Sequence, residues 1–445
     1  MSSELVIHGG TVLTMESSAE PIVGGAVGIR DSLIAVVGSE VEVFERMPGA
    51  PRLDAGGGLI LPGFVNTHTH LAMTLLRGLA DDLTLREWLE QHIWPAERRL
   101  MNAHTVALGT RLAAAECLRA GVTTVCDMYF FGATVGEVLA EIGLRALVSE
   151  GILDYPTPAA DSPETAFRLS RELLEHFRGH PLIRPAVAPH APYSVGAAHL
   201  ANAADLAEEY EAPLMIHLAE TRQEVDQLLQ DKGLTPAAYL ADLGILSERT
   251  IAAHCVHISP DDLELLAELE VGVAANPVSN LKLGSGIAPL PQMLAASLKV
   301  GFGTDGAASN NTLDLLRDAQ LASLLYKGVT GDPTVLPARQ LIELLTVGGA
   351  GVLGLADRIG TLTPGKEADI VCLDVHGPHA TPLVDPFAHL AYAARASDVR
   401  HAVVRGRPLL QDRAFTTIDL DEVLAAARAL AAEVRPPSHQ AVRPR

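Results

Sequence analysis

The chain reads Pro62-Gly63-Phe64-Val65-Asn66-Thr67-His68-Thr69-His70 where a predicted apolar strand ends in two histidines. Side chains at positions i and i+2 of a strand point to the same face. Both imidazoles can therefore reach one point just past the end of the strand, as two ligands of a metal ion do. The alternative is that one histidine packs in the core while the other is solvated. This segment alone does not separate the two interpretations.

Apolar segments of β type alternate along the chain with amphipathic helical stretches. The eight segments span residues 60–66, 121–127, 144–150, 183–189, 213–217, 250–255, 271–275 and 299–304. Eight alternating βα units favour an α/β fold with a (β/α)8 TIM barrel, and a doubly wound open sheet is the second candidate. No GxGxxG or GxxxxGK[ST] motif follows a predicted strand, so the sequence gives no support for a nucleotide-phosphate loop.

The two ends of the chain differ from the middle, because both contain short strand-turn-strand patterns. We expect residues 1–59 and 358–420 to form one small β-sandwich domain from both termini. Residues 60–357 would then form the barrel, and residues 421–445 a helix followed by a frayed tail.

Composition excludes several classes of function. The chain has 445 residues and a formal net charge of −21, which speaks against nucleic acid or an anionic membrane as a partner. Its four cysteines are scattered without a CxxC pair, so neither a disulfide framework nor a cysteine zinc site is expected. The sequence also lacks the pattern of a signal peptide and a long apolar span. These features predict a soluble, cytoplasmic protein, and they leave a homo-oligomeric state open.

In a barrel of this type, functional side chains lie at the carboxyl ends of the strands. The polar residues expected there are His68, His70, His190, His217, His254 and Asp305. Nitrogen and oxygen ligands of this kind suit Zn²⁺ or a similar divalent ion. Glu220 follows His217 by three residues, and it is either an exposed glutamate at a helix start or a proton shuttle. Its position beside an expected ligand favours the second interpretation.

Several motifs of this chain resemble those of the amidohydrolase superfamily. They are residues 62–70, His217-Leu218-Ala219-Glu220, His254 on its strand, Gly303-Thr304-Asp305-Gly306, and the terminal segments 5–15 and 360–374. Within the superfamily the chain is most similar to the 5′-methylthioadenosine/S-adenosylhomocysteine deaminases, through residues 70–78, 94–97, 188–190 and 276–283.

The resemblance implies a metal site and a substrate site. One divalent ion is expected on His68, His70, His217 and Asp305, most simply Zn²⁺, with Fe²⁺, Mn²⁺ or Ni²⁺ as alternatives. Two-metal members usually bridge their ions with a carboxylated lysine on a middle strand. This chain has no lysine before Lys232, so one ion is favoured.

For substrate, the resemblance matches Glu97 to a residue that binds ribose hydroxyls, His190 to one that contacts the nucleoside, and Ser309 to one that contacts the base. The implied reaction is hydrolytic deamination of a 6-aminopurine nucleoside. Glu220 would also bind the substrate, because it carries the proton of the attacking water to N1, while His254 and Asp305 hold the attacking oxygen and accept its second proton.

Two other functions remain open from the sequence. One is a related amidohydrolase that acts on another aminated or halogenated heterocycle, such as guanine, cytosine or a triazine. Glu97 separates this alternative from a nucleoside deaminase, because a substrate without ribose has no diol for Glu97 to bind. The other is a non-enzymatic scaffold, which would be expected to lack ligands that this chain has. Other zinc deaminases use an HxE and PCxxC site, and no PCxxC is present.

One position where this chain differs from the family bears on which 5′ substituent the substrate carries. Relatives that act well on S-adenosylhomocysteine are expected to place an arginine near the end of the third barrel strand, where this chain has Glu150. An acid there would repel the carboxylate of the amino-acid group. The sequence therefore predicts a preference for 5′-methylthioadenosine or adenosine.

Overall fold

The computed structural model of the protein describes residues 4–434. Its strands are β1 (Glu4–Val12), β2 (Ile22–Arg30), β3 (Leu33–Ser39), β4 (Arg52–Asp54), β5 (Leu59–Pro62), β6 (Phe64–Thr69), β7 (Val122–Tyr129), β8 (Arg145–Ile152), β9 (Ile183–Pro189), β10 (Leu214–Leu218), β11 (Thr250–His254), β12 (Gly272–Ala275), β13 (Lys299–Phe302), β14 (Ile370–Leu373), β15 (Val399–Val404), β16 (Arg407–Gln411) and β17 (Ala414–Phe415).

Helices connect most of the strands. They are α1 (Glu40–Arg46), α2 (Leu85–Glu87), α3 (Trp94–Leu100), α4 (Ala103–Arg119), α5 (Gly132–Ile142), α6 (Pro163–His176), α7 (Ala197–Glu209), α8 (Arg222–Lys232), α9 (Pro236–Asp242), α10 (Pro260–Glu268), α11 (Pro277–Lys282), α12 (Leu290–Ala295), α13 (Ala307–Asn310), α14 (Leu315–Thr330), α15 (Ala338–Glu343), α16 (Gly349–Val352), α17 (Pro386–Tyr392) and α18 (Leu420–Val434). Short 3₁₀ turns and two π-helical turns, Trp88–Ile93 and Leu344–Gly348, complete the helical segments.

Strands β6 to β13 form a parallel barrel in sequence order, as the sequence predicted. Every residue of β6, β7 and β8 is buried, which is why these strands read as continuous apolar runs rather than as alternating patterns. The barrel closes between β13 and β6 through hydrogen bonds just beyond β13. Asn66 Nδ2 donates to Thr304 Oγ1 at 2.8 Å, and the Asp305 N–H donates to the His68 carbonyl at 3.0 Å.

The remaining strands confirm a second β unit built from both termini. Their order is β17-β16-β15-β14-β5-β1-β2-β3, with β4 paired to β1, and most of the pairs are antiparallel. The sequence predicted a small β-sandwich, whereas the strands here are joined in one hydrogen-bonded path. We call this unit the terminal sheet.

The segment 60–66, predicted as one strand, divides between the two sheets. Strand β5 pairs with β14 of the terminal sheet, and β6 enters the barrel and carries the two histidines. Gly63 lies at the crossing, where a Cβ atom would stand 2.0 Å from Thr123 Oγ1. Both halves of the segment are buried, so hydrophobic periodicity cannot reveal the change of partner.

A buried ion pair joins the barrel to the terminal sheet. Arg145 begins β8, and its Nε donates to Asp369 Oδ2 at 2.6 Å while Nη2 donates to Glu367 Oε2 at 2.5 Å. Removing one partner of a buried pair of this kind typically costs about 3–5 kcal/mol, because the other charge is left without compensation. The segment that leads into β14 is therefore fixed to the amino-terminal end of a barrel strand.

The last described helix, α18, is described as far as Val434. The predicted frayed tail, residues 435–445, lies outside the described residues. Within residues 4–434, no helix combines the length and the apolar character that crossing a bilayer requires.

Candidate metal centre

Three histidines and an aspartate meet at the carboxyl end of the barrel. His68 lies in β6, His70 directly follows it, His217 lies in β10, and Asp305 lies three residues past β13. The His68 ring centroid is 4.8 Å from that of His70 and 4.9 Å from that of His217. His70 Nε2 is 3.1 Å from Asp305 Oδ1. The structure therefore brings together all four residues that the sequence singled out as ligands.

His254 closes the cluster on a further side. It is the last residue of β11, and its ring stacks at 5.4 Å on that of His217. Potential ligand atoms of His68, His217 and His254 lie within 4.8 Å of one another, as do those of His68, His70 and Asp305. The two triads share His68, which makes that ring the middle of the cluster.

Hydrogen bonds orient the imidazoles so that Nε2 faces the centre of the cluster. His217 Nδ1 donates to the His190 carbonyl at 2.7 Å, and His70 Nδ1 donates to the Met128 carbonyl. His254 Nδ1 donates to Asn280 Oδ1 at 2.7 Å. Second partners of this kind fix the tautomer and the ring direction of metal ligands.

His68 supplies the most direct test of whether a cation fits. Its Nε2 is fully buried, lies 3.5 Å from Asp305 Oδ1, and has no hydrogen-bond partner among the described residues. A buried nitrogen without a partner is costly, and coordination to a cation would satisfy it. The donor set of imidazole nitrogens and one carboxylate oxygen fits Zn²⁺ or a similar divalent ion.

The protonation states of two of the histidines also suit metal binding. Burial lowers the pKa of His68 to about 4 and holds the pKa of His217 well below its ordinary value, so both rings are neutral at pH 7. Burial likewise lowers the pKa of His70, but the hydrogen bond and charge of Asp305 outweigh it and raise this pKa to about 9. A cation that binds here must therefore compete with a proton on His70.

Asp305 is held as an anion in a strained position. Burial would raise its pKa, yet the imidazoles of His68 and His70 close to its Oδ1 keep the pKa well below its usual range. Its backbone is left-handed, with φ of 61°, and Oδ2 accepts hydrogen bonds from Ser279 Oγ at 2.6 Å and Ser309 Oγ at 3.0 Å. Strain of this kind persists where surrounding contacts over-determine the geometry.

Glu220 is buried beside the cluster, which excludes the alternative of an exposed glutamate at a helix start. It is 4 % exposed, Oε1 accepts a hydrogen bond from Ser285 Oγ at 3.2 Å, and Oε2 lies 3.7 Å from His254 Nε2. Burial, followed by the charge of Asp305, raises the pKa of this carboxyl. Glu220 belongs to neither ligand triad, so its carboxyl is free to exchange protons with a molecule in the cleft.

A cleft that opens to solvent lies directly over the cluster. Its wall is largely aromatic and aliphatic and includes Trp88, Trp94, Phe130 and Leu283. Its polar lining is formed by His70, Glu97, His190, His217, Glu220, His254 and Asp305. An apolar cleft with a few converging polar groups is the usual form of a small-molecule site.

Three of the four residues predicted to contact substrate, Glu97, His190 and Glu220, line this cleft. Glu97 is 3 % exposed, and Oε1 accepts a hydrogen bond from the Tyr129 hydroxyl at 2.7 Å. Burial raises the pKa of Glu97 to about 7. His190 Nδ1 pairs with Ser194 Oγ at 2.7 Å, and burial lowers the pKa of His190 to about 3, so its ring is neutral.

The side chain of Ser309 contacts Asp305 and does not line the cleft where a contact with the base was predicted. Its hydroxyl donates to Asp305 Oδ2, and Ser309 is not among the residues that line the cleft. The sequence predicted a contact with the base, but α13, which begins two residues after Asp305, turns this side chain back onto Asp305. Its contacts support the aspartate instead.

Glu150 also faces away from the cleft. Oε2 accepts a hydrogen bond from the Gly132 N–H at 2.8 Å, and Oε1 accepts one from the Phe131 N–H at 3.3 Å. The carboxylate thus occupies the amino terminus of α5, where backbone N–H groups and the helix dipole favour an anion. Gly151, the next residue, lines the cleft, so repulsion of a substrate carboxylate by Glu150 has no structural basis.

Several supporting residues were missed by sequence reasoning. Ser279 and Asn280 hold Asp305 and His254, Ser285 holds Glu220, and Tyr129 holds Glu97. The first two lie within the motif 276–283, which was noted only as a family cue. Nothing in sequence spacing links Tyr129 to Glu97, because the contact joins a strand end to a helix of another loop.

Comparisons with known proteins agree with the geometry. A sequence profile of the amidohydrolase family matches residues 59–409. A 5-methylthioadenosine/S-adenosylhomocysteine deaminase of Syntrophobacter fumaroxidans is 44% identical over 98% of this chain and 99% of the relative. Among solved structures, an adenosine deaminase of Xanthomonas campestris with bound zinc has a TM-score of 0.94 and 39% identity, covering 97% of this chain and 98% of its own. A zinc complex of atrazine chlorohydrolase from Arthrobacter aurescens has a TM-score of 0.88 and 25% identity, covering 96% and 100%.

Proposed function

The chain belongs to the amidohydrolase family, and we propose that it is a metal-dependent hydrolytic deaminase of 6-aminopurine nucleosides. The products are the inosine analogue and ammonia. The observation that carries the proposal is that Glu220, the candidate metal centre and Glu97 all line one cleft. The relatives of higher identity carry the names of nucleoside deaminases, which supports the same reaction.

We further propose that one divalent ion, Zn²⁺ in the simplest case, is held by His68, His70, His217 and Asp305. The absence of lysine before Lys232 supports a single ion, because strands β6 to β10 cannot supply a carboxylated lysine. Fe²⁺, Mn²⁺ and Ni²⁺ are alternatives with the same ligand types. Such an ion supplies Lewis acidity and lowers the pKa of water.

The residues of the chain perform the proton transfers. Glu220 takes one proton from the attacking water and gives it to N1 of the ring, which neutralises that nitrogen as C6 becomes tetrahedral. His254 and Asp305 hold the attacking oxygen and accept its second proton, which leaves with the amino group as ammonia. The 3.7 Å separation of His254 Nε2 and Glu220 Oε2 supports this division of roles, because two groups so close together can act on one reacting centre.

Two side chains that line the cleft hold the substrate in this proposal. Glu97 accepts hydrogen bonds from the ribose hydroxyls, and His190 contacts the nucleoside. Both side chains line the cleft beside Trp94 and Tyr193. A carboxylate that accepts from a diol makes charge-assisted bonds, which are about twice as strong as neutral ones. Ser309 keeps only the supporting contact with Asp305.

Other reactions share this fold, since the atrazine chlorohydrolase has nearly the same architecture at 25% identity. Ammonia release should therefore be measured over adenosine, 5′-methylthioadenosine, S-adenosylhomocysteine, adenine, guanine, cytosine and an aminotriazine. The nucleosides are expected to give the highest kcat/KM. Faster release from any ribose-free compound would replace this proposal with the corresponding alternative.

Three broader expectations remain proposals. The chain would act in the cytoplasm on a small molecule, without nucleic acid or membrane as a partner. Residues 1–59 with 358–420 would form a domain around the terminal sheet, and residues 60–357 would form the catalytic barrel. The oligomeric state is left to direct measurement.

A further inference from the structure

We propose that Tyr129 is a positioning residue that fixes the Glu97 carboxylate for ribose recognition. The inference rests on the proposed function of Glu97. Tyr129 is the last residue of β7, and its hydroxyl donates to Glu97 Oε1 at 2.7 Å. Both residues are buried, at 4 % and 3 % exposure, so water competes little for this hydrogen bond.

Glu97 needs such an anchor because its own helix is a weak support. Helix α3 has seven residues and follows the π-helical turn Trp88–Ile93, a less regular form than the α-helix. Tyr129 is the single hydrogen-bond donor that residues 4–434 offer to the Glu97 carboxylate. The barrel strand thus supplies the fixed point that the helix lacks.

The same strand end also orients the candidate metal centre. Met128, directly before Tyr129, accepts the hydrogen bond from His70 Nδ1 through its carbonyl. Two consecutive residues of β7 therefore hold a metal ligand and the ribose carboxylate in one rigid frame. A site built on a strand is more precise than one built on loops, so the distance between the reacting ring and the ribose is set by β7.

The pH dependence of activity can test the inference, because it follows the ionisation of Glu97. The charged and titratable groups that face this carboxyl are Tyr129, His70, Arg98 and Tyr155. Burial raises the pKa of Glu97, and the hydrogen bond from Tyr129 is the largest opposing influence. Removing the hydroxyl should raise this pKa further, so that less carboxylate is present at neutral pH.

The test is Tyr129→Phe, which keeps the ring and its contacts with Phe130 and removes one oxygen. For adenosine at pH 7 we expect KM to rise about tenfold, with kcat within about threefold and metal content unchanged. The acidic limb of kcat/KM should move to higher pH for adenosine, and the loss should be largely recovered at pH 9. Adenine, which has no ribose, should show neither change.

Tyr326→Phe is the matched control. Tyr326 is equally buried, and its hydroxyl donates to the Ala288 carbonyl at 2.7 Å, away from the cleft. The Tyr326→Phe variant should lose about as much free energy of unfolding as Tyr129→Phe, but its pH profile of kcat/KM for adenosine should not shift. If Tyr129→Phe behaves like Tyr326→Phe, or harms adenine and adenosine equally, the inference is overturned.

A second variant keeps the test decisive if Tyr129→Phe does not fold. Glu97→Gln cannot ionise but still offers an oxygen to Tyr129. It must therefore remove the part of the acidic limb that adenosine shows and adenine does not, and retention of that part overturns the inference. The substrate panel measured on the wild type separates the proposed nucleoside deamination from the positioning role of Tyr129. Preference for ribose-free substrates defeats both the proposed function and this inference, whereas normal nucleoside deamination with an unshifted Tyr129→Phe profile defeats only the inference.

Discussion

Replacing Glu220 by glutamine should stop deamination while leaving the metal centre intact. The amide is nearly isosteric and can still accept the hydrogen bond from Ser285 Oγ, so the local packing is retained. It cannot take a proton from water and deliver it to N1. Glu220 is outside both ligand triads, so metal content should match that of the wild type.

The expected magnitude follows from the burial of this carboxyl. General acid–base groups contribute about 10²–10⁴-fold, or about 2.7–5.5 kcal/mol of barrier. Because Glu220 is 4 % exposed, bulk water has little access to replace it. We therefore expect kcat to fall toward the upper end of that range, about 10³–10⁴-fold.

The assay is the change in ultraviolet absorbance as the aminopurine becomes the oxopurine, with ammonia measured independently. Glu224→Gln serves as the control, since Glu224 is a partly buried neighbour whose Oε1 accepts from the Glu220 N–H at 2.8 Å. Burial, followed by the charge of Glu220, raises the pKa of Glu224 to about 8, so the neutral amide resembles its state at pH 7. If Glu220→Gln keeps kcat within tenfold of the wild type, another group moves the proton; if it loses the metal, Glu220 is a ligand.

Three further outcomes are expected. His217→Ala should lose metal and activity together, and metal analysis of the wild type should give about one ion per chain; a value near two, with both ions required, contradicts the single-ion site. Glu97→Ala should lower kcat/KM for adenosine by about 10- to 100-fold and change adenine little, and equal losses on both substrates would falsify the ribose assignment. Glu150→Gln should leave the kcat/KM ratio of 5′-methylthioadenosine to S-adenosylhomocysteine within about twofold of the wild type, because its carboxyl binds the start of α5; a tenfold change would mean that Glu150 senses the 5′ group after all.

The sequence predicted the barrel and the cluster at its mouth for one physical reason. Parallel strands end at the same edge, so a polar residue after each apolar run must lie near the others. His68, His217 and Asp305 could be assigned to one place without knowing the loops. The same argument cannot reach residues whose direction depends on loop conformation.

Ser309 and Glu150 illustrate that limit. Each was assigned by matching a short segment to a family pattern, and each side chain binds a neighbouring group of its own chain instead. The spacing of residues in the sequence predicts where the backbone passes. The direction of each side chain depends on which nearby groups compete for its hydrogen bonds. For Glu150, the free N–H groups of α5 offer a partner that sequence patterns do not display.

The pairing of β5 with β14 has a consequence for the order of events during synthesis. One edge of β5 is covered only by residues 370–373, which are made about 300 residues after Pro62. At about 5–20 residues per second, the ribosome needs roughly 15–60 s to supply that partner. Until then β5 presents an open edge, a form that invites wrong pairing, and the strand bearing His68 continues directly from it. We expect a nascent chain to acquire its ion only after the segment around Ile370 has emerged, so a ribosome-bound chain that stops earlier and still retains the ion would contradict this order.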